Sequence, residues 1–105
     1  MSEPIIDQDI PLAEDKRLVK KLWKVDKTDY FPHGLEFAYQ FLYFKDNEWI
    51  QVARIDNQLH EGKAGVHIHI LKREEVRWEE LTFEQAEEKI LEIGEGIVRN
   101  IINKI

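Results

Sequence analysis

Residues 35–44 read LEFAYQFLYF, residues 45–48 read KDNE, and residues 49–56 read WIQVARID. The first segment alternates two sets of side chains and is rich in aromatic residues, which is typical of a strand in a half-buried sheet. Asp46 and Asn47 tolerate positive φ, so KDNE predicts a tight two-residue turn. We therefore expect a β-hairpin to which the flanking segments add.

Further strands are predicted on both sides of this hairpin. Residues 16–25 fit either a helical stripe or one face of a strand, and we favour the strand. Residues 26–34 and the polar residues 57–64 predict loops. Residues 65–71 predict another strand, and a short extended piece is expected around residues 76–78.

The C-terminal segment predicts a long amphipathic helix. Thr82 followed by Gln85 is a capping-box pattern. Apolar residues then recur every three or four positions at Phe83, Ala86, Ile90, Ile93, Ile97, Ile101 and Ile105. Gly94 and Gly96 each cost about 1 kcal/mol in a helix, so they either permit close packing on the sheet or mark a break. We expect an α+β fold, a mostly antiparallel sheet of 4–5 strands with this helix packed on one face.

Composition limits the class of protein. The chain has 105 residues, enough for one core, and we expect an extended acidic N-terminal arm over residues 1–15 and a single α+β domain over residues 16–105. The absence of cysteine excludes disulfides and thiol chemistry and favours a reducing cytoplasm. No apolar run is long enough for a membrane span, and the acidic start argues against a secretory signal.

Charge is distributed unevenly. The net charge is −6, yet residues 16–78 contain twelve bases and nine acids. The acidic total argues against general nucleic-acid affinity, because such binding depends on phosphate neutralisation. The basic central section permits a local anion-binding site, and a solvated, salt-bridged surface is the alternative interpretation.

Strand alternation predicts a polar face. If residues 57–64 connect neighbouring antiparallel strands, Arg54 lies opposite His67 and Val52 lies opposite His69. One sheet face then collects Tyr39, Phe41, Tyr43, Val52, Arg54, Asp56, His67 and His69. The other face, expected to seat the helix, collects Ala38, Leu42, Phe44, Trp49, Ala53, Ile55, Val66, Ile68 and Ile70.

The polar face suggests acid–base chemistry on a phosphate. Two imidazoles can act as general base and general acid, and arginine and lysine can hold a phosphate. These parts are sufficient for RNA cleavage without metal or cofactor. The candidate catalytic residues are His67, His69, Arg54 and Asp56. The candidate substrate-binding residues are His60, Lys63, Asn57 and Tyr39, with Tyr39 or Tyr43 as a stacking surface for a base.

Two other interpretations remain open at this point. A His-x-His pair on a strand directs both rings to one side, and with His60 or Asp56 it could bind Zn²⁺, Ni²⁺ or Fe²⁺. His60, His67 and His69 form the first of these ligand sets. Alternatively, the polar face is a non-catalytic homodimer or partner interface.

The central stretch resembles the TumE-type toxins of prokaryotic toxin–antitoxin modules and related small uncharacterised families. The matching features are Arg54-Ile55-Asp56-Asn57, His60, the glycine loop 62–65, His67-Ile68-His69 and the helix from Thr82. The resemblance spans about residues 20–100. It implies a growth-inhibiting toxin that is usually encoded beside a neutralising helix-turn-helix antitoxin, while RNA as the substrate is inferred from the residues. We expect an antitoxin partner, an RNA substrate, a homodimer and no membrane association.

Overall fold

The computed structural model describes residues 2–103, with side chains to Ile101. Its elements are β1 (Glu3–Ala13), β2 (Lys16–Lys24), β3 (Leu35–Lys45), β4 (Glu48–Asp56), β5 (His67–Ile70), β6 (Arg77–Trp78) and α1 (Phe83–Asn103). The strands form one antiparallel sheet in the order β1-β2-β3-β4-β5-β6. The α+β prediction is confirmed, with six strands because both the acidic N-terminal segment and the piece near residue 78 join the sheet. Ile105, placed on the predicted helical stripe, lies outside the described residues.

The acidic N-terminal segment is extended, and it forms the edge strand β1. Asp7 lies opposite Lys21 on β2, and Asp9 accepts a hydrogen bond from Arg17 at 3.1 Å. Opposite charges on neighbouring strands stabilise pairing modestly, by about 0.2–1 kcal/mol per pair. The acids of β1 therefore lie beside the bases of β2. The acidic start of the chain and the basic segment that follows it compensate each other's charge in the sheet.

The β3–β4 hairpin turns as predicted and then departs from simple alternation. Asp46 and Asn47 both have positive φ, 54° and 65°, and Phe44 lies opposite Trp49. Beyond the turn, Val52 is an extra residue on β4, because Leu42 pairs with Gln51 while Phe41 pairs with Ala53. Such a β-bulge shifts the register by one residue from there onward.

The bulge reverses the faces predicted for β3. A register shift of one residue exchanges the faces, so Tyr39 lies opposite Ile55 and on the same side as it. The buried, helix-covered residues of β3 are Phe37, Tyr39, Phe41 and Tyr43. The expectation that Ala38, Leu42 and Phe44 seat the helix is wrong, as is the placement of Tyr39, Phe41, Tyr43 and Val52 on the polar face. On β4 and β5 the predicted helix-side residues Ala53, Ile55 and Ile68 are buried as expected. Trp49, expected on the same side, is 37% exposed, so that placement is wrong.

The helix α1 begins with the predicted capping box and packs on β3 and β4. The backbone N–H of Gln85 donates to Thr82 Oγ1 at 3.1 Å, and the Gln85 amide oxygen accepts from the Thr82 backbone N–H at 3.0 Å. A buried stripe along the helix consists of Ala86, Ile90, Gly94 and Val98. Within residues 2–103, no helix is both long and apolar enough to cross a membrane.

Gly94 is the point of closest approach between helix and sheet. A Cβ atom at this position would lie 2.3 Å from the Phe41 ring, so any side chain would collide with a fully buried aromatic group. A Cβ at Gly96 would meet nothing closer than Arg99 Nη2 at 3.9 Å. Of the two alternatives for these glycines, close packing applies to Gly94, and the helix continues through both.

This difference predicts opposite effects of two alanine substitutions. Gly94→Ala is expected to destabilise the protein by about 1–3 kcal/mol, because the added methyl group overpacks the core against Phe41. Gly96→Ala is expected to stabilise it by up to about 1 kcal/mol, through helix propensity alone. Urea unfolding followed by circular dichroism measures both, and shifts of equal sign and size would contradict the assigned contact.

Candidate functional site

The sheet face opposite α1 brings the predicted polar residues together. Asp56 pairs with His67, which pairs with Trp78, and Arg54 pairs with His69 one step along. The predicted pairing of Arg54 with His67 is wrong by two residues, because the loop after Asp56 extends to residue 66. A shift of two residues preserves the faces, so all four polar side chains still project to the same side.

Asp56 is the buried centre of the site, with 2% of its surface exposed. Its Oδ2 accepts from Arg54 Nε at 2.8 Å, and its Oδ1 accepts from the backbone N–H of Gln58 at 2.9 Å. The same Oδ1 lies 3.2 Å from His67 Nε2. A buried carboxylate is tolerated only when it is paired and hydrogen-bonded, and this one meets both conditions.

His67 is equally buried and is held at both ring nitrogens. Nε2 faces Asp56, and Nδ1 lies 3.3 Å from the carbonyl oxygen of Gly65. A neutral imidazole donates one of these two hydrogen bonds and a protonated imidazole donates both. The ring orientation of His67 is therefore determined by oxygens on either side of it.

His60 reaches the site from the loop through a second tight turn. The backbone groups of His60 and Lys63 bond to each other at 3.1 and 3.0 Å, while Glu61 and Gly62 between them have positive φ. The His60 ring centroid lies 5.1 Å from that of His67 and 5.3 Å from that of His69. The three histidines each offer a nitrogen within 4.8 Å of the others, so they could hold a metal ion.

His69 is half-buried at the outer side of the group. Burial lowers the pKa of its imidazole from the ordinary 6.5, and the adjacent His67 lowers it further, while Asp56 acts in the opposite direction. A lowered pKa favours the neutral ring, which can accept a proton or donate a lone pair to a metal.

Two cations flank the histidines. Arg54 also donates from Nη2 to the side-chain oxygen of Gln58 at 2.8 Å, and 27% of its side chain remains exposed. Lys63 places Nζ 4.2 Å from the centroid of the Trp78 ring, a cation–π contact. The Trp78 ring in turn lies 4.8 Å from His67.

Two predicted substrate-binding residues, Asn57 and Tyr39, make structural hydrogen bonds away from the histidines. The Asn57 side chain accepts from the backbone N–H of Phe37 at 2.7 Å and donates to the carbonyl of Leu35 at 3.0 Å, closing the end of β3. Tyr39 is fully buried under α1, where its hydroxyl donates to the carbonyl of Phe83 at 3.0 Å. Burial raises the pKa of this phenol. The stacking surface predicted at Tyr39 is therefore absent from the polar face.

Gln58 and Trp78 belong to the site although the sequence-based candidates omit them. Gln58 follows Asp56 by two residues, a spacing at which an Asp side chain commonly accepts from the backbone, so that signal was present. Trp78 is a large apolar residue in a charged segment, but only the pairing of β5 with β6 places it beside His67.

Comparison with known proteins adds no family to this description. No protein-family model, curated protein or solved structure matches the chain. The fold and the site together define an α+β protein with three convergent histidines on the open face of an antiparallel sheet.

Removing the Asp56 carboxylate is expected to destabilise this end of the sheet. In Asp56→Ala, the buried His67 and the Gln58 N–H lose an acceptor, and an unsatisfied buried group costs about 1–3 kcal/mol. The control is Asp29→Ala, in an exposed loop, which is expected to change stability by less than about 0.5 kcal/mol. Urea midpoints that move equally in the two variants would refute this role of Asp56.

The lowered pKa of His69 predicts a measurable pH effect in metal-free protein. NMR titration of the His69 ring should give a lower midpoint in the folded protein than in urea-unfolded protein. Between the two midpoints the unfolded chain binds more protons, so the stability associated with His69 is present above about pH 6.5 and is lost as pH falls through the folded midpoint. A folded midpoint equal to or above the unfolded one would be inconsistent with this description.

Proposed function

We propose that this protein is an RNA-cleaving toxin of a toxin–antitoxin module and that the cleavage requires no metal. The observation that carries the proposal is the convergence of three imidazoles on the open sheet face, with Asp56 and Arg54 directly beside them. Two proton-transfer groups and a cation are what cleavage of an RNA phosphodiester requires.

Exposure divides the histidines into two roles. His60 and His69 are half-buried, so a substrate can reach them, whereas His67 is 2% exposed and engaged by Asp56 and Gly65. A general acid or base must come within hydrogen-bond distance of the reacting atom. We therefore assign the proton transfers to His60 and His69, and treat His67 as the positioning residue between them.

The reaction follows from this assignment. One of the two accessible imidazoles takes the proton of a ribose 2′-OH, and the oxygen attacks the adjacent phosphorus. The bond from phosphorus to the 5′ oxygen of the next nucleotide breaks, and the other imidazole protonates that leaving oxygen. The products are a 2′,3′-cyclic phosphate and a free 5′-OH, so atoms and protons balance.

The cations and Trp78 suit the rest of such a substrate. The Arg54 side chain is 27% exposed, and its position opposite His69 on the neighbouring strand places it within the site. Lys63 lies over the Trp78 ring, and if it moves to a phosphate the indole face that it covers becomes available for stacking with a base. Trp78 thus takes the role that the sequence suggested for Tyr39.

The toxin assignment is supported by the resemblance to TumE-type proteins over Arg54-Ile55-Asp56-Asn57 through His67-Ile68-His69. All the side chains of this frame that could take part in proton transfer project to one side of the sheet. A neutralising helix-turn-helix antitoxin is the partner this proposal implies. A gene for such a protein adjoining or overlapping the gene for this chain would be independent support.

The proposal is tested with purified protein, stripped of metal and kept in EDTA, on a mixed-sequence single-stranded RNA. We expect cleavage with 2′,3′-cyclic ends and none of a matched DNA, which lacks the attacking hydroxyl. His60→Ala and His69→Ala should each slow cleavage by about 100-fold or more. His33→Ala, which removes the exposed histidine of the loop before β3, should cleave at the wild-type rate.

Two results would count against the proposal. One is intact, folded wild-type protein that cleaves no RNA and whose expression leaves bacterial growth normal. The other is a His69→Ala variant that changes the oligomeric mass but not the activity, which would identify the polar face as an interaction surface. Slowed growth that His69→Ala relieves and His33→Ala does not would support it.

A further inference from the structure

We infer that His60, His67 and His69 also form a binding site for one divalent transition-metal ion, with Zn²⁺ as the representative ion. This inference goes beyond the proposed cleavage and stands without it, because it rests on the positions of the three rings. Imidazole nitrogen is a good ligand for Zn²⁺, Ni²⁺ and Co²⁺, and the chain contains no cysteine that would provide a competing thiolate site.

The three nitrogens are close to the separation that a metal requires. They lie within 4.8 Å of one another, whereas nitrogens bound to one tetrahedral Zn²⁺ at about 2.0–2.1 Å are about 3.4 Å apart. His67 and His69 stand two residues apart on β5 and are fixed by strand pairing. The backbone of His60 belongs to a four-residue turn rather than to the sheet, so a small movement of that turn closes the site.

The groups behind His67 match the surroundings of a metal-binding histidine. Such a ligand usually donates its second ring N–H to a carboxylate or carbonyl, which fixes the ring and its tautomer. Asp56 Oδ1 faces His67 Nε2 at 3.2 Å, and Gln58 and Arg54 hold the carboxylate in place. His67 then coordinates through Nδ1 and gives up the longer contact to Gly65.

The approach to the site favours a cation. A surface depression of about 430 Å³ beside His60 is lined by Glu61, Glu74 and Glu75 together with Lys63 and Trp78. The positive charge of Arg54 is compensated by Asp56. Because His60 and His69 are half-buried rather than buried, a fourth coordination position remains open to water.

A bound ion changes what the site can do. It occupies the ring nitrogens of His60 and His69 that accept and donate protons in the proposed cleavage, so the metal-bound and RNA-cleaving forms exclude each other. This consequence rests on the proposed function. Zinc would then act as a reversible inhibitor of the cleavage.

Binding is tested by titrating ZnCl₂ into metal-stripped protein in a calorimeter and by recording the visible spectrum with Co²⁺. We expect one ion per chain and the intense Co²⁺ absorption of a tetrahedral site. Losing a group that hydrogen-bonds a metal-binding histidine typically weakens metal binding by about 10–100-fold, and Asp56→Asn should fall within this range. His60→Ala and His69→Ala each remove a ligand and should weaken binding by at least as much. His33→Ala is the matched control and should bind as the wild type does.

The site would be overturned if the His60→Ala/His69→Ala double variant bound Zn²⁺ as tightly as the wild type. It would also be overturned if the wild type bound no ion, or if His33→Ala weakened binding as much as His60→Ala and His69→Ala do. The two proposals fail separately. If zinc binds and leaves the cleavage seen in EDTA unchanged, the inhibitory consequence is wrong. If zinc binds but neither form cleaves RNA, the proposed function is wrong and the metal site stands.

Discussion

The arrangement of the site depends on one buried carboxylate. Asp56 is a charged group removed from water, which is stable only because Arg54, His67 and the backbone N–H of Gln58 surround it. Each of these partners belongs to a different part of the site: the same strand, the neighbouring strand and the start of the loop. A single carboxylate therefore connects the strand pair to the loop that carries His60. The polar face keeps its geometry because leaving any of these groups unpaired costs free energy.

A second constraint determines where that face lies. Because Val52 is an extra residue, strands β3 and β4 both bury large side chains under α1. These side chains are aromatic on β3 and aliphatic on β4. Because Gly94 has no side chain, the helix packs directly against the Phe41 ring. With the helix occupying this side, the polar residues of β4 and β5 are left on the other, where no element of residues 2–103 covers all of them. The core and the site are thus two consequences of one strand register.

The site combines fixed and adjustable parts. His67 and His69 are held by strand pairing, and His60 by a tight turn of four residues. Cleavage of RNA and binding of a metal ion make different demands on these imidazoles, since proton transfer needs ring nitrogens that are not coordinated and a bound metal ion occupies them. Both are compatible with the same rings because their nitrogens lie within 4.8 Å of one another, somewhat farther apart than nitrogens bound to one metal ion. The partly exposed rings also provide the access that either chemistry needs.

The sequence by itself determined the fold class, the KDNE turn, the capping box at Thr82 and the grouping of Arg54, Asp56, His67 and His69, because each depends on local spacing or on alternation within a strand. Only the tertiary structure decided the face of Tyr39, since a bulge at Val52 arises from packing against α1 and has no local signal in the chain. The same holds for the pairing of Asp56 with His67 and for Trp78 beside them. Those contacts cross connections whose lengths the local sequence pattern does not determine, and their register is set by how the loop and the core fit together.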